Sequence, residues 1–371
     1  MKKTLLTICL TWMCFSLSAQ KIIDLSGKWS FSIDRQDNGE KEKWFSHTLN
    51  DCINLPGSMP EKLKGDEVTA KTQWTGSLYD SSYYYNPYME KYRKEGNIKF
   101  PFFLTPDKHY VGAAWYQKEV NIPADWKGER ILLFLERPHI ETTVWVNGQK
   151  TGMQNSLCVP HQYDITRYVR PGKCTITIRV DNRIKEINVG PDSHSITDQT
   201  QGNWNGIVGR ICLQTTPKTY FDDIQIYPEP EQKLARVKVV IKGAGITKIK
   251  LSAESFNTDK KHIVPAIQQE IKLNKGVTET EMVLPMGNDM LLWDEFHPAL
   301  YKLKAEVTNG KKTEIKEIQF GMRRFEIKGK WFYVNGRKTQ LRGTVENCDF
   351  PLTGYAPICL LYTSPSPRDY A

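Results

Sequence analysis

The sequence predicts a mainly β protein made of consecutive β-sandwiches, and three observations lead to that prediction. The stretch CTITIRV, which ends at Val180, alternates between two sets of side chains with a period of two, as a half-buried strand does. Asn147-Gly148, Asn309-Gly310 and Asn335-Gly336 each separate two extended runs, which is typical of two-residue β-hairpins. Long amphipathic helical patterns are absent from the sequence, and short strands with regular turns favour sandwiches.

Length and composition are those of a globular protein. The chain has 371 residues, 39% of them hydrophobic and 25% charged, which is enough for two or three domains of ~100–200 residues each. The net charge is +9, but the basic residues are interspersed with acidic ones. Because no basic stripe that could follow a phosphate backbone is evident, we expect no nucleic-acid partner.

The first twenty residues, MKKTLLTICLTWMCFSLSAQ, have the charge order of a secretory signal peptide. Lys2 and Lys3 precede a mostly apolar run that is too short for a comfortable membrane span. Small residues around Ala19 favour cleavage there. A buried N-terminal strand is the alternative, although such a strand does not need this charge order. We therefore expect residues 1–19 to be a signal peptide of a periplasmic or secreted protein, with no membrane insertion after its removal.

Turn-rich segments divide the remaining chain. We expect a first sandwich over residues 22–217 and a second, smaller one over residues 218–322, with the polar segment YPEPEQK near their boundary. Residues 78–110 form a tyrosine-rich insertion in the first sandwich. Its rings could stack on sugars or simply pack over the sheet. A third region begins at residue 323.

The sequence contains no convincing metal or cofactor motif. The seven histidines are dispersed, and none is paired at ligand spacing on a helix. No phosphate-binding glycine loop and no Gly-x-Ser-x-Gly elbow is present. The cysteines that follow the signal are far apart, so buried thiols are favoured, and any disulfide connectivity cannot be read from the sequence. We expect neither a metal nor a cofactor.

Several stretches together resemble the N-terminal half of glycoside hydrolase family 2, which includes β-galactosidases, β-glucuronidases and β-mannosidases. Residues 113–152, with the hairpin VWVNG, and residues 164–182 and 197–213 resemble the family's sugar-binding domain. The stretch LLWDEFHPALYKLKAEV resembles its immunoglobulin-like domain. Residues 320–343 resemble the approach to its (β/α)₈ barrel.

This resemblance implies a specific order of domains. A jelly-roll sandwich of the galactose-binding type would occupy residues 22–217, and an immunoglobulin-like sandwich would occupy residues 218–322. The start of the catalytic barrel would cover residues 323–358. The family's chemistry is a retaining hydrolysis of terminal β-linked sugars by two glutamates, one acting as acid/base and one as nucleophile.

Both glutamates would lie downstream of this chain, because a (β/α)₈ barrel needs ~250 residues. Glu346 matches neither of them, so we expect no catalytic residue and no turnover in the 371 residues given. The stretch ENCDFPLTG also departs from the β-galactosidase pattern, which has histidines soon after the Arg-Gly pair. The resemblance as a whole is β-galactosidase-like, but this departure puts galactose specificity in doubt.

Four residues are candidates for contact with a sugar: Asp198, Trp204, Arg342 and Asn347. Asp198 and Trp204 share a loop that resembles a sugar-proximal segment of some relatives. There a carboxylate could bond hydroxyls and an indole could stack on a ring, or the two could hold a turn and fill the core. Arg342 and Asn347 lie at or after the end of the first barrel strand, where such barrels build their sites. Arg342 could instead satisfy carboxylates inside the barrel.

The final residues, CLLYTSPSPRDYA, differ in character from the preceding sequence. Residues 359–369 match the translation of a transposase adapter used in preparing sequencing libraries, so we expect residues 359–371 to be an artefactual tail. A natural Ser/Pro-rich linker is the alternative. The leading hypothesis is the front part of an exported glycosidase with an oligo- or polysaccharide substrate. A non-catalytic carbohydrate-binding module and a purely structural role beside the barrel are the other hypotheses.

Overall fold

The computed structural model describes residues 21–76, 81–101, 106–157, 159–185, 193, 196–199 and 202–343. These residues form two compact units that meet in sequence between Thr215 and Thr216. In the described part of the chain no helix is long and apolar enough to cross a membrane. The described helices are short 3₁₀ segments of three to six residues: Trp44–Ser46, Pro60–Lys62, Ser81–Tyr84, Pro87–Tyr92, Ala124–Trp126, Thr166–Tyr168 and Pro230–Gln232.

The first unit is an antiparallel β-sandwich. Its strands are β1 (Ile22–Asp24), β2 (Gly27–Asp34), β3 (Asp51–Leu55), β4 (Gly57–Ser58), β5 (Asp66–Glu67), β6 (Lys108–His109), β7 (Ala113–Ile122), β8 (Arg130–His139), β9 (Glu141–Val146), β10 (Gln149–Asn155), β11 (His161–Asp164), β12 (Gly172–Asp181) and β13 (Gly206–Thr216). One sheet has the order β10-β9-β12-β7-β2-β3. The other has the order β1-β13-β8-β11, with β4 added to β13, and β5 pairs with β6 separately.

The alternation in β12 decides which of its faces enters the core. Ile176, Ile178 and Val180 are fully buried, in one cluster with Trp29 and Tyr116. The intervening residues form the opposite face of this sheet, as period-two geometry requires. The jelly-roll sandwich implied by the family resemblance is confirmed.

The second unit is built around a long bent hairpin. Its strands are β14 (Tyr220–Glu229), β15 (Leu234–Phe256), β16 (Ile263–Pro285), β17 (Leu300–Asn309), β18 (Lys312–Phe320), β19 (Phe325–Lys328), β20 (Trp331–Val334) and β21 (Arg337–Thr339). The first part of β15 pairs with β14 and its last part pairs with β17, while β16 follows it throughout. A register shift between Gly243 and Gly245 separates those two parts. One core joins both parts, which gives the expected immunoglobulin-like sandwich.

Two of the three predicted Asn-Gly turns are confirmed. Asn147-Gly148 and Asn335-Gly336 occupy the two central turn positions with positive φ at both residues, as a type I′ turn requires. The third hairpin is shifted by one residue, because Asn309 pairs within the ladder and Gly310 begins the turn. The Asn309 side chain instead donates to the carbonyl oxygens of Ala244 and Ile246, at 3.0 and 3.1 Å.

The described part of the tyrosine-rich insertion contains both buried and exposed rings. Tyr83 is fully buried and stacks on Phe100 with ring centroids 4.7 Å apart. Tyr84, Tyr85 and Tyr88 are 51%, 73% and 86% exposed. The packing interpretation therefore describes Tyr83, whereas the exposed rings remain accessible to a ligand.

The described cysteines are free thiols. Cys174 and Cys212 are buried, as expected of small apolar thiols, and Cys52 is exposed. Burial raises the pKa of the Cys174 thiol to about 11, so it stays protonated near neutral pH.

Candidate functional site

Asp198 fastens the loop between β12 and β13 to a distant segment of the first unit. One carboxylate oxygen accepts a hydrogen bond from the backbone N–H of Thr75 at 2.7 Å, and the other accepts from Asn203 N–H at 2.8 Å. The backbone N–H of Asp198 donates to the Thr75 carbonyl at 3.1 Å. Asp198 is only 8% exposed, so these contacts make its carboxylate an anchor of the loop.

The amides of the stretch GNWNG extend that anchor into the sheet. Asn203 Nδ2 donates to Thr75 Oγ1 at 2.9 Å and to the Asn182 carbonyl at 3.0 Å. Asn205 Nδ2 donates to the Val180 carbonyl at 3.0 Å, and its Oδ1 accepts from the Tyr116 hydroxyl at 2.8 Å. Buried amides satisfied in this way fix the path of the backbone.

Trp204 lies between these two asparagines and stacks on His139. The two ring centroids are 4.6 Å apart and the planes differ by 21°. Trp204 is 9% exposed and His139 is 7% exposed. Burial lowers the pKa of His139 to about 4, so the ring that faces the indole is neutral at physiological pH.

Two polar atoms near this stack, His139 Nε2 and Asn203 Oδ1, make no hydrogen bond of ordinary geometry among the described residues, although the Asn203 side chain acts on the His139 ring and opposes the lowering of its pKa. Both belong to buried side chains, and a buried polar atom without a partner has a free-energy cost. A hydroxyl group or a water molecule could satisfy them. No local sequence pattern marks His139 as a site residue, because its contact with Trp204 spans 65 residues.

A balanced charge network lies at the end of β12. It joins three basic and three acidic side chains: Arg179, Arg183, Lys185, Asp37, Asp181 and Glu141. Asp181 is fully buried and accepts ion pairs from all three cations, at 2.6 to 3.0 Å. Burial opposes ionisation, but hydrogen bonds from Arg183 and Lys185 hold the pKa of Asp181 well below its usual range. The network therefore fixes the positions of these side chains at the end of β12.

The four predicted site residues divide between the units. The structure brings Asp198 and Trp204 together, because Asn203, the residue before Trp204, donates its backbone N–H to Asp198. Arg342 belongs to the second unit, where it is exposed and lies 3.4 Å from Glu295. Asn347 lies outside the described residues. Contact of any of the four with a sugar stays a prediction.

Over the described part of the chain, no group of three or more His, Cys, Asp or Glu side chains could hold a metal ion. The loop built around Asp198 and Trp204 offers amide, carboxylate and imidazole groups together with an aromatic ring. Such a set suits recognition of hydroxyl-rich ligands by hydrogen bonding.

Comparisons with known proteins connect this architecture to a family. The model of the sugar-binding domain of glycosyl hydrolases family 2 matches residues 22–217, and a second model of the same family matches residues 219–323. Relatives include a β-glucuronidase of Paenibacillus borealis, which is 23% identical over 355 residues, covering 90% of this chain and 51% of the relative. A β-galactosidase of Thermoanaerobacter pseudethanolicus is 25% identical over 278 residues, covering 70% of this chain and 35% of the relative.

The solved structures agree with that result. A β-glucuronidase from Ruminococcus gnavus in complex with D-glucuronic acid superimposes with a TM-score of 0.61 at 19% identity, covering 88% of this chain and 50% of that one. The chain thus spans about half the length of relatives such as the Paenibacillus and Ruminococcus proteins. On the two family models, which together match residues 22–217 and 219–323, the chain belongs to glycosyl hydrolase family 2.

Proposed function

We propose that this chain supplies the sugar-binding and immunoglobulin-like domains of an exported glycoside hydrolase that acts on terminal β-linked sugars. The observation that carries the proposal is the pair of consecutive family matches over residues 22–217 and 219–323. Export rests on the charge order of residues 1–19. Chemistry of the retaining type requires two carboxyl groups ~5–5.5 Å apart, and we assign both to a barrel beyond the residues given.

The sugar is proposed to be a β-glucuronide or a β-galactoside. Relatives of both names match the chain. The stretch ENCDFPLTG lacks the histidines of the β-galactosidase pattern, which favours the glucuronide. An aryl β-glucuronide and an aryl β-galactoside differ at C6, where one bears a carboxylate and the other a hydroxymethyl group, and in the configuration at C4. Parallel assays with the two substrates therefore separate these possibilities.

The experiment begins with long-read sequencing of the source DNA across codons 357–359, without a transposase step. We expect the reading frame to continue into a barrel, and the extended protein to hydrolyse the aryl β-glucuronide with retention of configuration. The 371-residue chain should not hydrolyse either substrate. Turnover by the 371-residue chain, or an extended protein that cleaves neither glycoside, would contradict the proposal.

Within that enzyme we propose that Trp204 forms part of the wall beside the bound sugar, in a position held by Asp198. Trp204→Ala in the extended protein should lower kcat/KM when assayed below the unfolding transition of the first unit, which the loss of this buried ring also lowers. Phe31→Leu is the matched control, because Phe31 is an aromatic core residue of the same sandwich and is not part of this loop. Equal losses of kcat/KM in both variants would assign Trp204 a purely structural role.

A carbohydrate-binding module without catalysis is the second candidate, and the exposed rings of Tyr84, Tyr85 and Tyr88 favour it. Aromatic faces stack on sugar rings and need no catalytic group. Calorimetric titration of the 371-residue chain with neutral oligosaccharides tests this function directly. Millimolar or tighter binding that Tyr88→Ser abolishes would support it, and absence of heat with any glycan would remove it.

A further inference from the structure

The small sheet formed by β19, β20 and β21 has a strong local charge. Residues 323–342 contain seven basic residues and one acidic residue, a net charge of +6, against +9 for the whole chain. All seven basic side chains are exposed: Arg323, Arg324, Lys328, Lys330, Arg337, Lys338 and Arg342. The interspersed charges expected from the sequence therefore do not describe this segment, where basic side chains are concentrated on the surface.

The strand register places several of these groups on one face. Lys328 lies opposite Trp331, and Tyr333 lies opposite both Glu326 and Lys338. Directly opposed residues of an antiparallel pair project from the same side of the sheet. We call this side the Trp331 face, formed by Lys328, Trp331, Tyr333, Lys338 and Glu326.

Aromatic rings hold the lysines of this face. The Lys338 ammonium lies 3.2 Å from the centroid of the Trp331 ring, and the Lys330 ammonium, from the adjoining turn, lies 5.4 Å from the same centroid. The two ammonium groups are therefore no more than 8.6 Å apart. That separation is about one Debye length at physiological salt, so both charges act on one bound anion.

The acidic residue of the Trp331 face does not neutralise these two lysines. Glu326 pairs with Arg324 at 2.8 Å and with Lys328 at 3.3 Å. Among the described residues, Lys330 and Lys338 have no carboxylate within ion-pair distance. Trp331 is itself 37% exposed. The face thus combines two uncompensated cations with an accessible indole.

We propose that the Trp331 face binds an acidic polysaccharide, with Lys330 and Lys338 pairing to uronate carboxylates beside the Trp331 ring. Charge complementarity selects an anionic ligand. Carboxylate-bearing sugars are the anionic polymers that suit a chain of a glycoside hydrolase family. The surface would hold polymer chains without hydrolysing them, and it requires neither the catalytic barrel nor the loop of Asp198.

The test uses the 371-residue chain and alginate, a polymer of uronic acids, in calorimetric titrations at low and at physiological salt. The double substitution Lys330→Gln and Lys338→Gln should weaken binding about tenfold, since it removes both uncompensated cations from the indole. Lys238→Gln is the matched control, because Lys238 also lies over an exposed aromatic ring, Tyr227 at 5.6 Å. That variant should retain the affinity of the unchanged chain.

Three results would overturn the proposal. Alginate could fail to bind at millimolar uronate, or Lys238→Gln could weaken binding as much as the double substitution. Duplex DNA could bind as tightly as alginate, which would identify the face as a general polyanion surface. Trp331→Ala adds a readout beyond charge, because loss of the ring should weaken alginate binding while leaving the net charge unchanged.

Discussion

Two of the buried histidines of the first unit, His139 and His161, should make its stability fall in mildly acidic solution. His139 and His161 are buried in the sandwich, and burial lowers the pKa of each from 6.5 to about 4. In the unfolded chain both rings are exposed to water and bind protons below pH 6.5. The unfolded state then binds more protons than the folded state between pH 6.5 and 4, so the free energy of unfolding decreases through that range.

The size of the effect follows from the two pKa values. Each pKa unit corresponds to ~1.4 kcal/mol, so each histidine removes about 3 kcal/mol between pH 6.5 and 4. The slope is up to ~1.4 kcal/mol per pH unit for each ring. Carboxylates such as Asp181, whose pKa is held well below its usual value, contribute to the slope mainly below about pH 5, so the histidine slope is read between pH 6.5 and 5. The loss is large against the ~5–15 kcal/mol that holds a typical domain folded.

Denaturant unfolding followed by tryptophan fluorescence measures this slope for the first unit, which contains seven of the nine tryptophans that follow residue 20. His161→Asn should reduce the slope by up to ~1.4 kcal/mol per pH unit. Asparagine can keep the bond to Thr142 Oγ1, which lies 2.6 Å from His161 Nδ1. His47→Asn, at an exposed histidine, is the control and should leave the slope unchanged. An unchanged slope in His161→Asn and His139→Asn would refute the reasoning.

Three further predictions concern stability and association. Asp198→Ala leaves two backbone N–H groups without their acceptor, so the first unit should lose roughly 3 kcal/mol in denaturant unfolding; a loss below ~0.5 kcal/mol would contradict the anchoring role. Gly206→Ala should destabilise by at least ~1 kcal/mol, because its Cβ would lie 2.5 Å from the Gly57 carbonyl oxygen at φ +148°; wild-type thermal stability would contradict this. Phe325 and Ile327 are exposed on the side of the small sheet opposite the Trp331 face, so the chain should self-associate at high concentration. Replacing both by Ser should reduce association in sedimentation velocity, and an unchanged profile would exclude that side as the contact.

Local patterns predicted the strands and the hairpins because those features depend on neighbouring residues. Asn147-Gly148 and Asn335-Gly336 form their turns with backbone conformations that Asn and Gly favour. The turn after Asn309 was predicted one residue too early, because the Asn309 side chain bonds to the bend of β15, more than sixty residues away. A tertiary contact of that range leaves no trace in the local pattern.

The candidate site was predictable only in part for the same reason. Asp198 and Trp204 were identified by resemblance to a family segment, and the structure adds the partners that hold them. Thr75 lies 123 residues from Asp198 in the sequence. His139 is the last residue of β8, and nothing in the sequence of that strand marks it as a site residue. These partners are far apart in the sequence, and only the tertiary fold brings them together. Asn347 could not be placed, since it lies outside the described residues.

Two cationic clusters among the described residues differ in charge balance, and this difference gives them different roles. Arg179, Arg183 and Lys185 meet three carboxylates, and their central partner Asp181 is fully buried. A balanced, partly buried network is screened weakly by salt, and loss of one of its charges would leave another buried and unpaired. Lys330 and Lys338 are exposed, and their charges remain available to an external anion. Raising the salt concentration should therefore release a bound polyuronate well before it unfolds the first unit. If the polymer were released only at the salt concentration that unfolds the first unit, it would be bound through the network around Asp181. The Trp331 face would then not be its site.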